Sequence, residues 1–209
     1  MATLGSTGKT DPSRFDGKKK LLLVPLIPIF PEMEEDMSDL LDKFWSETSS
    51  QIGNIESALG TVKHIFHEMI HEEDEEGINI LSQIYPRSAD FINEYINSGA
   101  KLQALEDPAT WMELTDWQRC LSIGLISSKV YEIAAKGYQE VSVKRTTQLP
   151  KTISNIMGED EVGMLFISEG HSLQFSSDTQ IFYVSPPSAT DLKNAMTEKL
   201  KSQQENSGN

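Results

Sequence analysis

Cysteine is nearly absent. The 209 residues contain one, Cys120, so no disulfide within the chain can staple the fold. A chain of 23.4 kDa buries enough surface to fold without one, and the shortage points to a reducing compartment, the cytoplasm. Basic residues are scarce as well. Lys and Arg number 18 against 32 Asp and Glu, a formal net charge of −14, which disfavours nucleic acid as a partner because phosphate is neutralised by clustered cations. Long hydrophobic runs are missing too. The apolar stretch Leu21 to Phe30 follows Lys18-Lys19-Lys20 but contains Pro25 and Pro28 and ends at Pro31-Glu32. It has no small-residue cleavage site and falls short of the roughly 20 residues that span a bilayer, so neither a secretory signal nor a membrane helix is expected. There is no P-loop, no six-residue dinucleotide glycine pattern, no G-x-S-x-G elbow and no CxxC pair, which leaves nucleotide, flavin and esterase chemistry without support. The aromatic residues fall at apolar positions of helices and strands and read as core, not as base-stacking platforms.

What is present is unevenly distributed. Between Glu32 and Glu76 there are 14 Asp or Glu against Lys43 and Lys63; the rest of the chain carries 18 acids and 16 bases. This segment reads as a solvated helix face plus an acidic loop, Glu72 to Glu76, and as the surface on which a basic partner would dock by electrostatic steering. Residues 1–19 are small and polar and read as a disordered arm. Residues 20–201 read as one domain with a helical block at 36–157, and residues 202–209 as a disordered tail.

Apolar runs predict strands near 20–27, 162–168 and 180–185. Helical spacing predicts helices from Asp36 to Ile55, Thr61 to Glu73 and Ile78 to Ile84, the last stopped by Tyr85-Pro86. Ser88 or Asp90 caps a helix with Phe91, Ile92, Tyr95, Ile96, Leu102 and Leu105 on its apolar face. Asp107-Pro108 restarts the chain as N-cap and first helical residue. A long helix from Asp116 to Lys136 would bury Cys120 and end at a C-cap glycine, Gly137. A short helix follows Pro150, and another runs from Ala189 to Lys201. Together these give a helix-rich α/β fold with a small, mostly parallel sheet; the last two strands are close enough in sequence for an antiparallel pair as well.

Two places carry chemistry. The first is His67-Glu68-Met69-Ile70-His71, an H-E-x-x-H match. On a helix the two imidazoles, four residues apart, could hold one zinc while Glu68 activates a water. The five residues resemble zincin metalloproteases, which implies a third ligand downstream; Glu94, 23 residues beyond His71, is the candidate. The acidic continuation Glu72 to Glu76, and a helical wheel that sets the histidines opposite Val62, Ile65, Phe66, Met69 and Ile70, favour an exposed polar face instead. Zinc is therefore not the favoured reading.

The second place is Glu169-Gly170-His171, directly after the strand at 162–168. Open α/β sheets collect ligands at the carboxyl ends of their strands, and Glu32 or Glu34 would reach the same edge. A glutamate and a histidine there suit divalent-metal or acid–base work. The stretch from Lys144-Arg145 through Gly163-Met164-Leu165-Phe166-Ile167-Ser168-Glu169-Gly170-His171 resembles the closing part of TraB/TIKI-type domains, where an arginine-led helix precedes a strand ending in glycine and histidine. That resemblance covers residues 144–171 and implies a metal-dependent hydrolase with His171, and Arg145 beside it, in the site. At the place of the family's N-terminal Gly-x-His signature this chain has Pro28-Ile29-Phe30-Pro31-Glu32. The expectation is a cytoplasmic protein that binds a basic protein or a small molecule through its acidic helical surface. A metal-dependent hydrolase, acting through His67, Glu68 and His71 or through Glu169 and His171, is the alternative; oligomeric state is left open.

Overall fold

A computed structural model describes residues 12–27, 29 and 31–207. Five strands form the sheet: β1 (Lys19–Pro25), β2 (Val62–His67), β3 (Lys101–Gln103), β4 (Val162–Ile167) and β5 (Thr179–Tyr183). All are parallel, in the order β3-β2-β4-β1-β5. The helix-rich α/β architecture with a parallel sheet is thus the one its apolar runs predict. β4 and β5 do not pair with each other; they flank β1 on its two edges, each parallel to it.

Alternate side chains along a strand face opposite sides of a sheet, and the two layers are separable residue by residue. Leu22, Val24, Ile65, Met164 and Phe166 face α2 (Ser38–Leu59), α3 (Asp74–Ile84) and α4 (Pro86–Asn97), packing with Ile52, Leu81, Phe91 and Ile92. Leu21, Leu23, Phe66, Leu165 and Ile167 face the other way, against Leu149, Ile153 and Met157 at the end of α6 (Ser128–Ile156). Each such side chain, fully buried, contributes roughly 1.5–3 kcal/mol, so the sheet is the main source of stability. β1 leads to β2 and β2 to β3 in one direction, with their helices on one face; β3 leads back to β4 with α5 (Pro108–Ser122) and α6 between. Right-handed crossovers then put α6 on the opposite face. A satellite cluster of Met33, Met37, Leu41 and Phe44 joins α1 (Pro31–Glu34) and α2 to α7 (Ser188–Ser207) through Leu192.

Several local expectations are corrected. The segment Thr61 to Glu73 is not a helix: Val62–His67 is a central strand paired with β3 and β4. Its run of β-branched and aromatic residues suits both periods, and pairing with β4 decides between them. Leu102 belongs to β3, not to the preceding helix, which ends at Asn97; Gly99 (φ +102°) makes the turn between them. Pro86 starts α4 and does not merely stop α3. The helix predicted over Asp116 to Lys136 is two helices, parted at Ile123–Ser127, where Gly124 has φ +72°. Gly137 lies inside α6, where a Cβ would overlap the Trp117 ring; it is a contact glycine, not a cap. Cys120, near the end of α5, is exposed, not buried. Pro150 sits inside α6, whose last turns are held on the sheet by Leu149 and Ile153 on either side of it. α7 continues through most of the expected tail to Ser207. Within the expected N-terminal arm, Pro12–Phe15 form a 3-10 turn and Phe15 packs edge-on to Phe182. The arm's residues 1–11 and the tail's residues 208 and 209 lie outside the described residues.

Candidate site at the carboxyl edge of the sheet

The first place singled out in the sequence is joined, through Glu68, to Ser168, the residue just before the second. Glu68 follows β2 and Ser168 follows β4, and these strands are neighbours, so residues 100 apart are brought side by side. The backbone N–H of Glu68 donates to Phe166 O at 2.9 Å, extending the ladder by one bond. Glu68 Oε2 accepts from the backbone N–H of Ser168 at 2.8 Å and from its hydroxyl at 2.7 Å. Strand alternation turns Glu68 to the α6 side, where Arg145 Nη2 donates to Glu68 Oε1 at 3.2 Å.

Arg145 is gripped more firmly by a residue that sequence patterns did not single out. Glu106, whose side chain is 1% exposed, accepts from Arg145 Nε at 3.0 and 2.9 Å and also from Nη2. Glu106 Oε1 takes a further bond from the Met69 N–H at 3.3 Å, and the backbone N–H groups of Leu105 and Glu106 both donate to Ile70 O at 3.0 Å. The chain leaving β2 is therefore tied to the chain leaving β3. Met69 itself has φ +73°, a left-handed conformation rare for an unbranched apolar residue and found most often where function constrains a turn. Arg145 Nη1 makes no hydrogen bond among the described residues.

Burial raises the Glu68 pKa, but the bonds from Ser168 and the charge of Arg145 outweigh it and hold the group below its ordinary value. Burial likewise depresses Arg145, and its bonds to Glu106 overcome that and push it up. Glu68 and Arg145 are thus an ionised pair at neutral pH. Glu106 carried no signal beyond being an acid between an apolar stretch and the Asp107 cap, and Ser168 none at all.

The histidines of the pentapeptide are separated. His67 is completely buried on the opposite, α2–α4 side of the sheet, stacked on Phe166 at 5.5 Å between ring centroids and near Tyr85 at 5.6 Å. Its Nδ1–H donates to Glu68 O at 2.6 Å, and its Nε2 has no partner among the described residues. Burial pushes its pKa down to about 4. His71 lies past the turn, stacked on Trp111 at 5.7 Å. Because the pentapeptide is a strand end and a turn, its two rings do not share a helical face, and the solvent-facing orientation expected for His67 is reversed. Glu94 lines a hollow with Glu56 and Val62 at the amino end of β2, so it sits at the other edge of the sheet from His67 and His71. Among the described residues no three His, Cys, Asp or Glu side chains converge in the manner of a metal site.

His171 lines a crevice of about 100 Å³ with Pro25, Ile167, Tyr183 and Ser185, at the carboxyl ends of β4, β1 and β5. The Leu173 N–H donates to His171 Nδ1 at 3.3 Å, so in the neutral ring the proton sits on Nε2. Glu169 is paired with Lys193 of α7. Beside the crevice, between α6 and the β4–β5 connection, lies a polar groove of about 580 Å³ that includes Thr146, Lys151, Asn155, Ser172 and Gln174.

Several acids of Glu32 to Glu76 have partners within the molecule. Glu47 accepts from the Ser188 N–H and hydroxyl at the start of α7, Asp42 pairs with Arg87 at 3.0 Å, and Asp36 pairs with Lys199. Asp74, Glu75 and Glu76 form the first turn of α3, where the helix dipole favours negative charge. Glu34 lines a small hollow beyond the end of β1; the side chain of Glu32 lies outside the described set. No helix among the described residues is long and apolar enough to cross a membrane. No family model matches the chain, and no curated protein or solved structure matches it either.

Proposed function

We propose that the protein binds a small polar ligand along the carboxyl edge of its sheet, with Arg145, Glu68 and His171 meeting the ligand and Glu106 positioning the arginine. The observation that carries this reading is the junction of Glu68 with Ser168 under Arg145, which converts two unrelated strand ends into one site. The adjoining groove lies within the range of roughly 300–1,000 Å³ common for small-molecule sites, and its hydroxyl and amide lining suits a polar ligand. A basic protein partner is less well supported, since Asp36, Asp42, Glu47 and Glu68 already have partners. The single cysteine supports a cytoplasmic setting.

Hydrolysis is the second reading. It is favoured by His171, which lines a crevice at the carboxyl ends of β1, β4 and β5 and, when neutral, carries its proton on Nε2, where it could donate to a leaving group.

The test is amide chemical-shift mapping with a panel of sugars, amino acids and short peptides. Binding predicts perturbations grouped at residues 68–71, 105–106, 145 and 168–174, lost in Arg145→Lys, which cannot reproduce the forked contact. Perturbations confined to residues 72–76 on addition of a basic peptide would overturn the proposal and restore the acidic docking surface.

A further inference from the structure

The molecule carries an appendage. α5 packs against α6 and has no other substantial neighbour, and only the last third of α6, around Leu149, Ile153 and Met157, lies in the sheet core. α5 and the first part of α6 therefore form a two-helix arm. Of the nine large hydrophobic side chains exposed among the described residues, eight are on it, including Ile123 (74%), Ile126 (101%), Tyr131 and Ile133. Two helices enclose no core, and a short helical pair with apolar residues facing water is marginal by itself.

Charge identifies what covers it. Residues 108–144 hold four acids (Glu113, Asp116, Glu132, Glu140) and four bases (Arg119, Lys129, Lys136, Lys144), so the arm is neutral and the whole net charge of −14 lies elsewhere. Two copies of this chain repel one another over the acidic segment from Glu32 to Glu76 and meet without that cost at the arm. Along α6 the signs alternate, Lys129, Glu132, Lys136, Glu140, Lys144, at intervals of three or four residues that keep them on one stripe. An alternating stripe laid antiparallel on its own copy, one turn out of step, sets unlike charges opposite, as a two-fold interface requires.

We propose that the arm pairs with the arm of a second copy to form a four-helix bundle, making the protein a homodimer. Cys120, the only thiol, is exposed on α5 and serves as a native probe.

The experiment is sedimentation equilibrium on the full chain, with a nitroxide on Cys120 read by dipolar EPR. The expected result is a dimer in the micromolar range with a defined label–label coupling. Ile133→Glu with Tyr138→Glu places a charge on each flank of α6 and should weaken dimerisation about a hundredfold, the loss of two buried anchors. Lys136→Glu, at a position 78% exposed and paired with Glu140 on the same helix at 3.8 Å, interrupts the alternating stripe at the cost of one exposed ion pair and should weaken it to a lesser degree. A thermal melt of each variant separates loss of pairing from loss of structure. A monomer at every concentration, a dimer indifferent to all three substitutions, or a dimer without dipolar coupling would overturn the proposal. Flotation of a monomeric wild type with phosphatidylcholine vesicles would also overturn it and assign the arm to a lipid surface.

Discussion

The sheet body and the arm solve opposite problems. In the body, charged groups are carried inward and matched: Glu106 is nearly inaccessible and is held by Arg145, and Lys20, 7% exposed, reaches Asp160 at 3.0 Å. In the arm, apolar groups are carried outward and left unmatched, with Ile126 fully exposed at its tip. The body's stability is set by burial on both faces of five strands, so a charge carried into it is costly unless it is paired. The arm depends on one interhelical seam, in which Trp117 lies flat on Gly137, and it can loosen without the sheet.

The sharpest way to break the contrast is Arg145→Met. It strands the Glu106 carboxylate in the interior, and removing one partner of a buried pair costs roughly 3–5 kcal/mol. Urea denaturation should show that loss across the whole domain, and Arg145→Met combined with Glu106→Leu should regain much of it. A body unaffected by Arg145→Met would mean that Glu106 is hydrated and the edge looser than described.

A smaller effect comes from His67. Its folded-state pKa of about 4 lies below the ordinary value of 6.5. Between those limits the unfolded chain binds a proton that the folded protein refuses, so stability is full above about pH 6.5 and declines as pH falls toward 4. From pH 6.5 to 5 the decline is about 2 kcal/mol. The depressed carboxylates Glu68 and Glu161, the latter at about 2, lose their contributions only below the ordinary glutamate value of 4.5, so this window isolates the imidazole. His67→Leu should flatten the pH profile there, and an unchanged slope would assign it elsewhere.

Gly137→Ala tests the arm. Pushing a methyl into the Trp117 ring costs about 1–3 kcal/mol, offset by up to about 1 kcal/mol of helix propensity. The loss should appear as faster amide exchange in α5 and the first half of α6, with the strands unchanged; equal acceleration in both would join what the structure separates. Smallest of all, Ile126→Ser should leave the denaturation midpoint within about 0.5 kcal/mol of the parent, as befits an exposed tip.

How far the sequence could be read follows the same division. The strands at Leu21 and Val162 were legible because a double-faced burial leaves a nearly unbroken apolar run, which no loop imitates. β2 was not, because Val62-Lys63-His64-Ile65-Phe66-His67 carries polar residues that suit a helix face, and only its pairing with β4 decides. The candidate edge was half legible: chemistry-bearing residues stood out at Glu68 and His171, and Arg145 through resemblance. What stayed hidden was adjacency. That Glu106 and Ser168 complete the cluster depends on strand order, and strand order is written in no local pattern. In the arm, the same apolar residues that usually announce a core at helical spacing are exposed, so Cys120 was expected inside and lies outside.

The position of β1 has a consequence for synthesis. β1 is bordered by β4 and β5 alone, so its first neighbour lies roughly 140 residues downstream, which at about 5–20 residues per second takes the ribosome roughly 7–30 seconds to supply. During that interval Leu21 to Val24 has both strand edges open, and β2 can recruit only the three residues of β3. The chain thus emerges with its most apolar strand well ahead of the two strands that complete it, so until β4 arrives that strand has no partner edge.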